Sequence, residues 1–314
     1  MKFAIVGSGS IGVAWGIVFA RAGYDVNIYD IDPERIAKAK VDLKNRLEML
    51  EQFSLSAEEK SKLLSRFNYF VELSPALEDV DYVQECVPEK RELKEQVFRQ
   101  LDALAGETTI LASSSSAITA SEFAGNIQGK SRCLVVHPGN PPYLLSVAEV
   151  VPAPFTSENT VEMATAILTK VKMRPILVHQ EIEGFVFNRL QGAILREAYC
   201  LVRDGVVTAA DVDRIVTDGL AKRWAVIGPF ATTALNVQGG VRAHAARMGA
   251  SYESMGRLRG QNDPWTLELV NQVDEEISQI LPVEDWDKNA LQRDRALLEL
   301  TRLIEGNPSF NFGF

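Results

Sequence analysis

The chain has 314 residues and a formal net charge of -9. That length exceeds one typical domain and suits two, and 46% hydrophobic residues supply a sizeable core. The acidic balance, without any block of like charges, argues against a nucleic-acid partner, which needs a basic patch. Cys86, Cys133 and Cys200 lie far apart. They form neither a metal-ligand spacing nor a disulfide framework, so no metal is expected and a reducing cytoplasm is the expected location. Met1-Lys2 runs straight into a strand pattern without a secretory leader. No apolar run approaches the ~18 residues that span a bilayer, so no membrane partner is expected.

Residues 1–182 alternate short β-branched or aromatic runs with helical segments. Strands are predicted at 3–6, 26–30, 69–71, 82–84, 109–112, 133–136, 149–151 and 176–178. Asp32-Pro33 offers an N-cap followed by proline at the first helical position. Ser56-x-x-Glu59 and Thr119-x-x-Glu122 match the capping box. This alternation predicts an α/β Rossmann domain with a doubly wound, mostly parallel sheet. From 183 to 314 the texture is helical. Apolar periodicity marks 185–203, Thr208-x-x-Asp211 caps a further helix, and 264–280 and 288–304 are charged and helical. Gly205, Gly219, Gly228-Pro229 and Gly239-Gly240 punctuate them. A second, all-α domain is predicted there, with a loose tail after Gly306 whose Phe310, Phe312 and Phe314 have the chemistry to dock on a surface.

Gly7-Ser8-Gly9-Ser10-Ile11-Gly12 follows the first strand and opens the first helix. The first glycine makes the tight turn, the second lets backbone approach a pyrophosphate, and the third lets helix and strand pack closely. The helix N-terminus then presents free N–H groups to phosphate. Asp30 ends the second strand, 18 residues after Gly12, where a carboxylate binds a ribose 2′-hydroxyl and repels a 2′-phosphate. The cofactor expected is NAD. An ordinary glycine-rich turn, with Asp30 a plain turn residue, is the alternative.

His137 directly follows the apolar run Cys133-Leu134-Val135-Val136. It therefore stands at the carboxyl end of a strand, where ligands of such sheets bind. The run His137-Pro138-Gly139-Asn140-Pro141-Pro142 has a fixed shape, because its prolines lack backbone donors. Removing hydride from an alcohol needs a base for the hydroxyl proton, and histidine titrates in the right range. A surface loop histidine is the equal alternative from spacing alone.

These residues, with Gln84-Glu85-Cys86-Val87-Pro88-Glu89, the run Ser113-Ser114-Ser115-Ser116, Glu149 and Gly184-Phe185-Val186-Phe187-Asn188-Arg189-Leu190, make the chain resemble the 3-hydroxyacyl-CoA dehydrogenase family. The resemblance covers nearly the whole chain and is weakest after about residue 250. It is greatest to the lambda-crystallin branch, whose activity is L-gulonate 3-dehydrogenase. It implies His137 as the base that takes a 3-hydroxyl proton, and Glu149, twelve residues on, as the carboxylate that orients it. Ser115 and Asn188 would bind the substrate oxygen, with Ser116 as the fallback if the serine run is shifted by one. Val87, Glu89 and Lys94 match cofactor-contacting positions, and Asn140 would help to place substrate or nicotinamide. It also implies a homodimer through the C-terminal helices.

The chain departs from acyl-CoA members after His137, and before Gly228-Pro229 it carries Lys222-Arg223-Trp224. An arginine fork binds carboxylate bidentately. Arg223 is therefore a candidate for a substrate carboxylate, with a helix C-terminal surface arginine as the equal alternative. Lys38, Lys40, Lys44 and Arg46 lie where acyl-CoA members hold CoA phosphates, but glutamates soon follow and a solvated helix is the reading taken. The expected activity is NAD-dependent oxidation of a free, L-gulonate-like 3-hydroxy acid. Competing readings are a 3-hydroxyacyl-CoA dehydrogenase and a non-catalytic, crystallin-like NAD-binding protein.

Overall fold

In the computed structural model, residues 1–53, 55–238, 240–258, 266–279 and 282–307 are described. Residues 1–189 and 190–314 form two compact units.

The first unit is built on eight strands: β1 (Lys2–Val6), β2 (Asp25–Tyr29), β3 (Phe67–Phe70), β4 (Tyr82–Glu85), β5 (Ile110–Ser113), β6 (Cys133–Pro138), β7 (Val147–Pro152) and β8 (Arg174–Leu177). Every predicted strand is present, each shifted or extended by one to three residues. They form one sheet of order β3-β2-β1-β4-β5-β6-β7-β8. Pairing is parallel except between β6 and β7. The reversal from β2-β1 to β1-β4 leaves a crevice at the carboxyl ends of those strands, the place where such sheets take ligands.

Helices α1 (Ser10–Arg21), α2 (Pro33–Phe53), α3 (Ala57–Leu64), α4 (Leu73–Ala76), α5 (Arg91–Leu104), α6 (Ala120–Ala124) and α7 (Glu158–Lys170) connect the strands. The capping boxes of Ser56 with Glu59 and Thr119 with Glu122 are both formed. Asp32 accepts from the Glu34 amide at the start of α2. Alternate residues of β1 serve opposite faces, as the period of two requires. Phe3 stacks on Phe19 of α1 at 4.1 Å, while Ala4 and Val6 pack with Val83, Phe98, Leu111 and Phe123. Phe98 is fully buried, and truncating such a ring to alanine costs about 3–5 kcal/mol. The core thus holds the carboxyl ends of β1, β4, β5 and β6 rigidly, and those ends carry the candidate site.

The second unit is helical, as predicted. Its elements are the continuation of α8 (Phe187–Arg203), then α9 (Ala209–Ile215), α10 (Ala221–Trp224), α11 (Pro229–Asn236), α12 (Gly240–Arg257), α13 (Leu267–Ser278) and α14 (Trp286–Glu305). Thr208 caps α9 by accepting from the Asp211 amide. Residues Val216–Leu220 form a π-helical turn that the sequence periodicity did not anticipate. Gly239, residues 264, 265 and 280 of the predicted helix, and Phe310, Phe312 and Phe314 lie outside the described residues. No helix among the described residues is long and apolar enough to cross a membrane.

Candidate active site

The phosphate loop begins where β1 ends. Gly7 has φ +104°, and a Cβ there would stand 2.7 Å from the carbonyl oxygen of Cys86. Gly12 is equally constrained, because a Cβ would collide with the Gly7 carbonyl. Gly9 differs: nothing lies within 4 Å of the place its Cβ would take. Two glycines are therefore needed for packing, and the third leaves open a cradle at the start of α1. Ser10 is exposed and Ile11 half-buried beside that cradle. This fits the pyrophosphate of NAD.

Asp30, just past β2, is buried. Its Oδ2 accepts from both the amide and the hydroxyl of Ser8, at 2.9 and 3.0 Å, and its Oδ1 accepts from the Asp32 amide at 3.1 Å. Asp30 thus shapes the phosphate loop through Ser8, and Oδ1 keeps a lone pair for a ribose hydroxyl.

A buried charge cluster lies on the neighbouring strand ends. Glu85 ends β4 with no exposure, and Lys94 of α5 is 1% exposed. Lys94 Nζ stands 3.0 Å from each Glu85 oxygen and 3.4 Å from Glu89. The Val87 amide donates to Glu85 at 2.6 Å and the Ser113 hydroxyl at 2.5 Å. Burial pushes the Glu85 carboxyl up, against the pull of Lys94 and the donated hydrogen bonds. The Lys94 protons are taken up within the cluster, so its ammonium acts by holding Glu85 and Glu89. Glu85 was given no role in the sequence reading. One signal for the pair was available: Lys94, Phe98 and Leu101 fall on one buried stripe of α5, where a lysine needs a buried carboxylate.

Glu89 organises the serine loop. Its Oε1 accepts from the Ser115 hydroxyl at 2.6 Å and from the amides of Ser116, Ala117 and Ile118 at 3.1–3.3 Å. Burial raises its carboxyl, but these donors and Lys94 outweigh that and hold it below its ordinary value. The serine run is therefore a built loop. Ser113 bonds Glu85, and Ser114 accepts from Trp15 Nε1 and Gln84 Nε2. Ser115 is fully buried, its hydroxyl near both Glu89 and the Ile118 carbonyl. Ser116 is half-buried, and its carbonyl accepts from Asn188 Nδ2 at 3.0 Å. Of the two candidate serines, it is Ser116 that stands beside Asn188.

His137 and Glu149 face one another directly across the antiparallel β6–β7 pair, which explains their twelve-residue spacing. His137 Nδ1 is 2.7 Å from Glu149 Oε2, and both side chains are buried. With Nδ1–H given to the carboxylate, Nε2 carries the free lone pair. The other Glu149 oxygen accepts from the Val186 and Phe187 amides at 2.7 and 3.0 Å, at the start of α8. Gly184 and Phe185 turn the backbone onto it with successive left-handed φ values of +74° and +47°. Burial raises the Glu149 carboxyl, but the His137 hydrogen bond and the two amides outweigh it and hold it below the ordinary range. The rings of Phe185 and Phe187 flank the imidazole at 5.7 and 6.3 Å.

Asn140 is exposed on the loop after β6. Arg223 is exposed on α10 in the second unit and makes no ion pair among the described residues. The solvated reading of the basic α2 face is met by Lys44, which pairs with Glu48 at 3.8 Å. Arg46 departs from it: its side chain is only 15% exposed and is paired with Asp42. The reason is tertiary, because Ser10 and Tyr143, both remote in sequence, close over it.

Residues 2–182 match the family described as 3-hydroxyacyl-CoA dehydrogenase, NAD binding domain, and residues 184–274 match 3-hydroxyacyl-CoA dehydrogenase, C-terminal domain. The chain is 42% identical over 240 residues to lambda-crystallin of Oryctolagus cuniculus, covering 75% of this chain and 74% of that one. It is 34% identical over 312 residues to L-carnitine dehydrogenase of Bacillus cereus, covering 97% and 92%. Among solved structures, an NAD+-dependent dismutase, 5-formyl-3-hydroxy-2-methylpyridine 4-carboxylic acid 5-dehydrogenase, matches with a TM-score of 0.81 at 26% identity, over 98% of this chain and 99% of that one. A glycine cradle fitted to a dinucleotide and matches to both family domains lead to one conclusion: the chain belongs to the 3-hydroxyacyl-CoA dehydrogenase family and is an NAD-dependent oxidoreductase acting on CH–OH donors.

Proposed function

We propose that the protein oxidises the 3-hydroxyl of a free 3-hydroxy acid, of the L-gulonate or L-carnitine type, with His137 as the base. The observation that carries this reading is the His137–Glu149 pair, whose geometry leaves Nε2 as the free base. NAD, when bound, supplies the hydride acceptor. His137 Nε2 takes the hydroxyl proton as carbon 3 becomes a carbonyl. Glu149 fixes the tautomer and stabilises the imidazolium that forms. Ser116, in preference to Ser115, and the second Nδ2 proton of Asn188 donate to the substrate oxygen, since the first Nδ2 proton is given to the Ser116 carbonyl. Asp30 and residues 7–12 hold the dinucleotide, with the loop bearing Val87 and Glu89, backed by Lys94 of α5, as the wall beside it and Asn140 as a placing residue. An L-carnitine dehydrogenase, aligned over 97% of the chain at 34% identity, supports a free acid, while a 3-hydroxyacyl-CoA dehydrogenase of Gibberella moniliformis, aligned over 95% at 37%, supports the thioester as the second reading.

Arg223 recognises the substrate carboxylate in this reading. Arg223→Met should raise the KM for the free acid about 10- to 100-fold, the worth of a charge-assisted hydrogen bond, and leave NAD affinity unchanged. An unchanged KM would remove Arg223 from the site. NADH production should be screened across L-gulonate, L-carnitine, 3-hydroxybutyrate, L-serine and 3-hydroxybutyryl-CoA. Dominant turnover of the thioester would replace the free-acid reading with an acyl-CoA one. NADH production left intact in His137→Ala would remove His137 as the base whichever substrate is used, and no turnover of any of these substrates would leave a non-catalytic NAD-binding role.

The helical second unit (183–314 by sequence) serves as the substrate and dimerisation domain in this proposal. An apolar groove of about 360 Å³ runs among α8, α9 and α13, lined by Leu195, Tyr199, Val202, Val212, Val270 and Val273, and an apolar groove of this kind supports a homodimer. The cytoplasm is the proposed location, consistent with the free thiols of Cys86 and Cys133.

A further inference from the structure

Arg46 joins two loops that the chemistry needs at the same time. From α2 its Nη2 donates to the Ser10 hydroxyl at 2.7 Å, at the first helical position of the phosphate loop. Its Nε and Nη2 also hold both oxygens of Asp42 at 2.8 Å, which fixes the plane of the guanidinium. The guanidinium carbon lies 5.7 Å from the centre of the Tyr143 ring. Tyr143 is buried and belongs to the loop between β6 and β7 that follows His137. That loop is tight: Leu144 and Leu145 amides return to the Pro141 carbonyl at 3.0 and 2.9 Å, and the Gly139 amide to Val147 at 2.9 Å. Arg21, at the end of α1, donates to the Tyr143 carbonyl at 3.5 Å.

We propose that Arg46 is a positioning residue that couples occupancy of the phosphate loop to the order of the loop that follows His137 and carries Asn140. By donating to Ser10 Oγ, Arg46 occupies a lone pair of that hydroxyl and leaves its proton directed outward. A hydroxyl so polarised is a stronger donor to a phosphate oxygen. An anion at the cradle in turn holds Ser10 and draws the guanidinium into one orientation. The same orientation presents its face to Tyr143, a contact worth more when desolvated. Cofactor binding is thereby made to tighten the 139–146 loop and the imidazole at its root. This inference rests on the assignment of residues 7–12 as the phosphate cradle.

The test measures binding and exchange rather than turnover. NAD affinity is taken by calorimetry, and amide hydrogen exchange of residues 139–146 is followed with and without NAD, for the wild type, Arg46→Met, Arg46→Lys and Tyr143→Leu. In the wild type, NAD should slow exchange in 139–146. Arg46→Met should weaken NAD about tenfold, the loss of one charge-assisted hydrogen bond, and abolish the slowing. Arg46→Lys should recover part of the affinity but little of the slowing, because an ammonium lacks the planar face. Tyr143→Leu should keep near-wild-type affinity yet lose the slowing, which no general loss of stability would produce. Wild-type affinity in Arg46→Met, or NAD-dependent slowing that persists in Arg46→Met or Tyr143→Leu, overturns the proposal. Absence of NAD binding in the wild type would instead count against the cradle itself.

Discussion

Glu149 serves His137 and the first turn of α8 with one carboxylate: Oε2 holds Nδ1 at 2.7 Å, and Oε1 takes the amides of Val186 and Phe187. The orienter of the base is thus also the cap of a helix. Glu149→Gln keeps the shape but removes the charge that stabilises imidazolium. A loss of about 10²- to 10⁴-fold in kcat is expected, together with about 1 kcal/mol of stability from the weakened cap. Steady-state kinetics and denaturant unfolding read the two separately. A variant with full kcat would separate Glu149 from the base.

The same carboxyl sets an acid limit. Its folded value lies below the ordinary one, driven down by His137 and the α8 amides against the effect of burial. A depressed carboxyl contributes stability that is fully present above its unfolded value, about 4.3, and lost as pH falls through the lower folded value. Melting temperature should therefore fall below about pH 4.3 more steeply in the wild type than in Glu149→Gln. Parallel curves for the two proteins would show that this carboxyl does not govern the acid limb.

The two candidate serines should separate by phenotype. Ser115 is fully buried in the loop's own hydrogen bonds, so Ser115→Ala should cost about 1–3 kcal/mol of stability. Ser116, beside Asn188, should lose kcat/KM by about 10- to 100-fold as alanine while its melting temperature holds. The reverse pattern would return the substrate contact to Ser115.

What was legible followed local rules. All eight strands, the Ser56, Thr119 and Thr208 caps and the phosphate loop came from periodicity and end chemistry that lie within a few residues. The His137–Glu149 spacing was legible as a number, but its cause, direct opposition in a hairpin, needed the β6–β7 register. Parity in the serine run was not legible, because beyond β5 no strand alternation dictates which hydroxyl turns outward. Glu85 and the burial of Arg46 were missed for a shared reason: each depends on partners far along the chain, Lys94 and Ser113 for one, Ser10 and Tyr143 for the other.

The Glu85–Lys94 pair gives a prediction that separates structure from cofactor contact. Lys94→Met leaves Glu85 buried and unpaired, which costs about 3–5 kcal/mol. Adding Glu85→Gln removes that charge and should restore much of the loss. Denaturant unfolding of the two variants decides it. If Lys94→Met is as stable as the wild type but binds NAD poorly, the ammonium contacts the cofactor and the pair is secondary.

Cofactor choice should resist a single substitution at Asp30. Replacing this aspartate removes the negative charge that repels a 2′-phosphate, so Asp30→Ser would by that logic admit NADP. Here, however, Asp30 also accepts two hydrogen bonds from Ser8 and one from the Asp32 amide. Serine can replace at most part of that set, and the freed Ser8 amide and hydroxyl lie buried beside the glycine turn. Unmet donors of this kind cost about 1–3 kcal/mol each, a penalty that falls on NAD and NADP alike because it deforms the shared cradle. Asp30→Ser is therefore expected to lose NAD affinity by about 10- to 100-fold and to gain little for NADP. Titration with both dinucleotides reads the outcome. A clean switch, with NADP bound as tightly as the wild type binds NAD, would show that the Ser8 anchor contributes little and that Asp30 acts through the ribose alone.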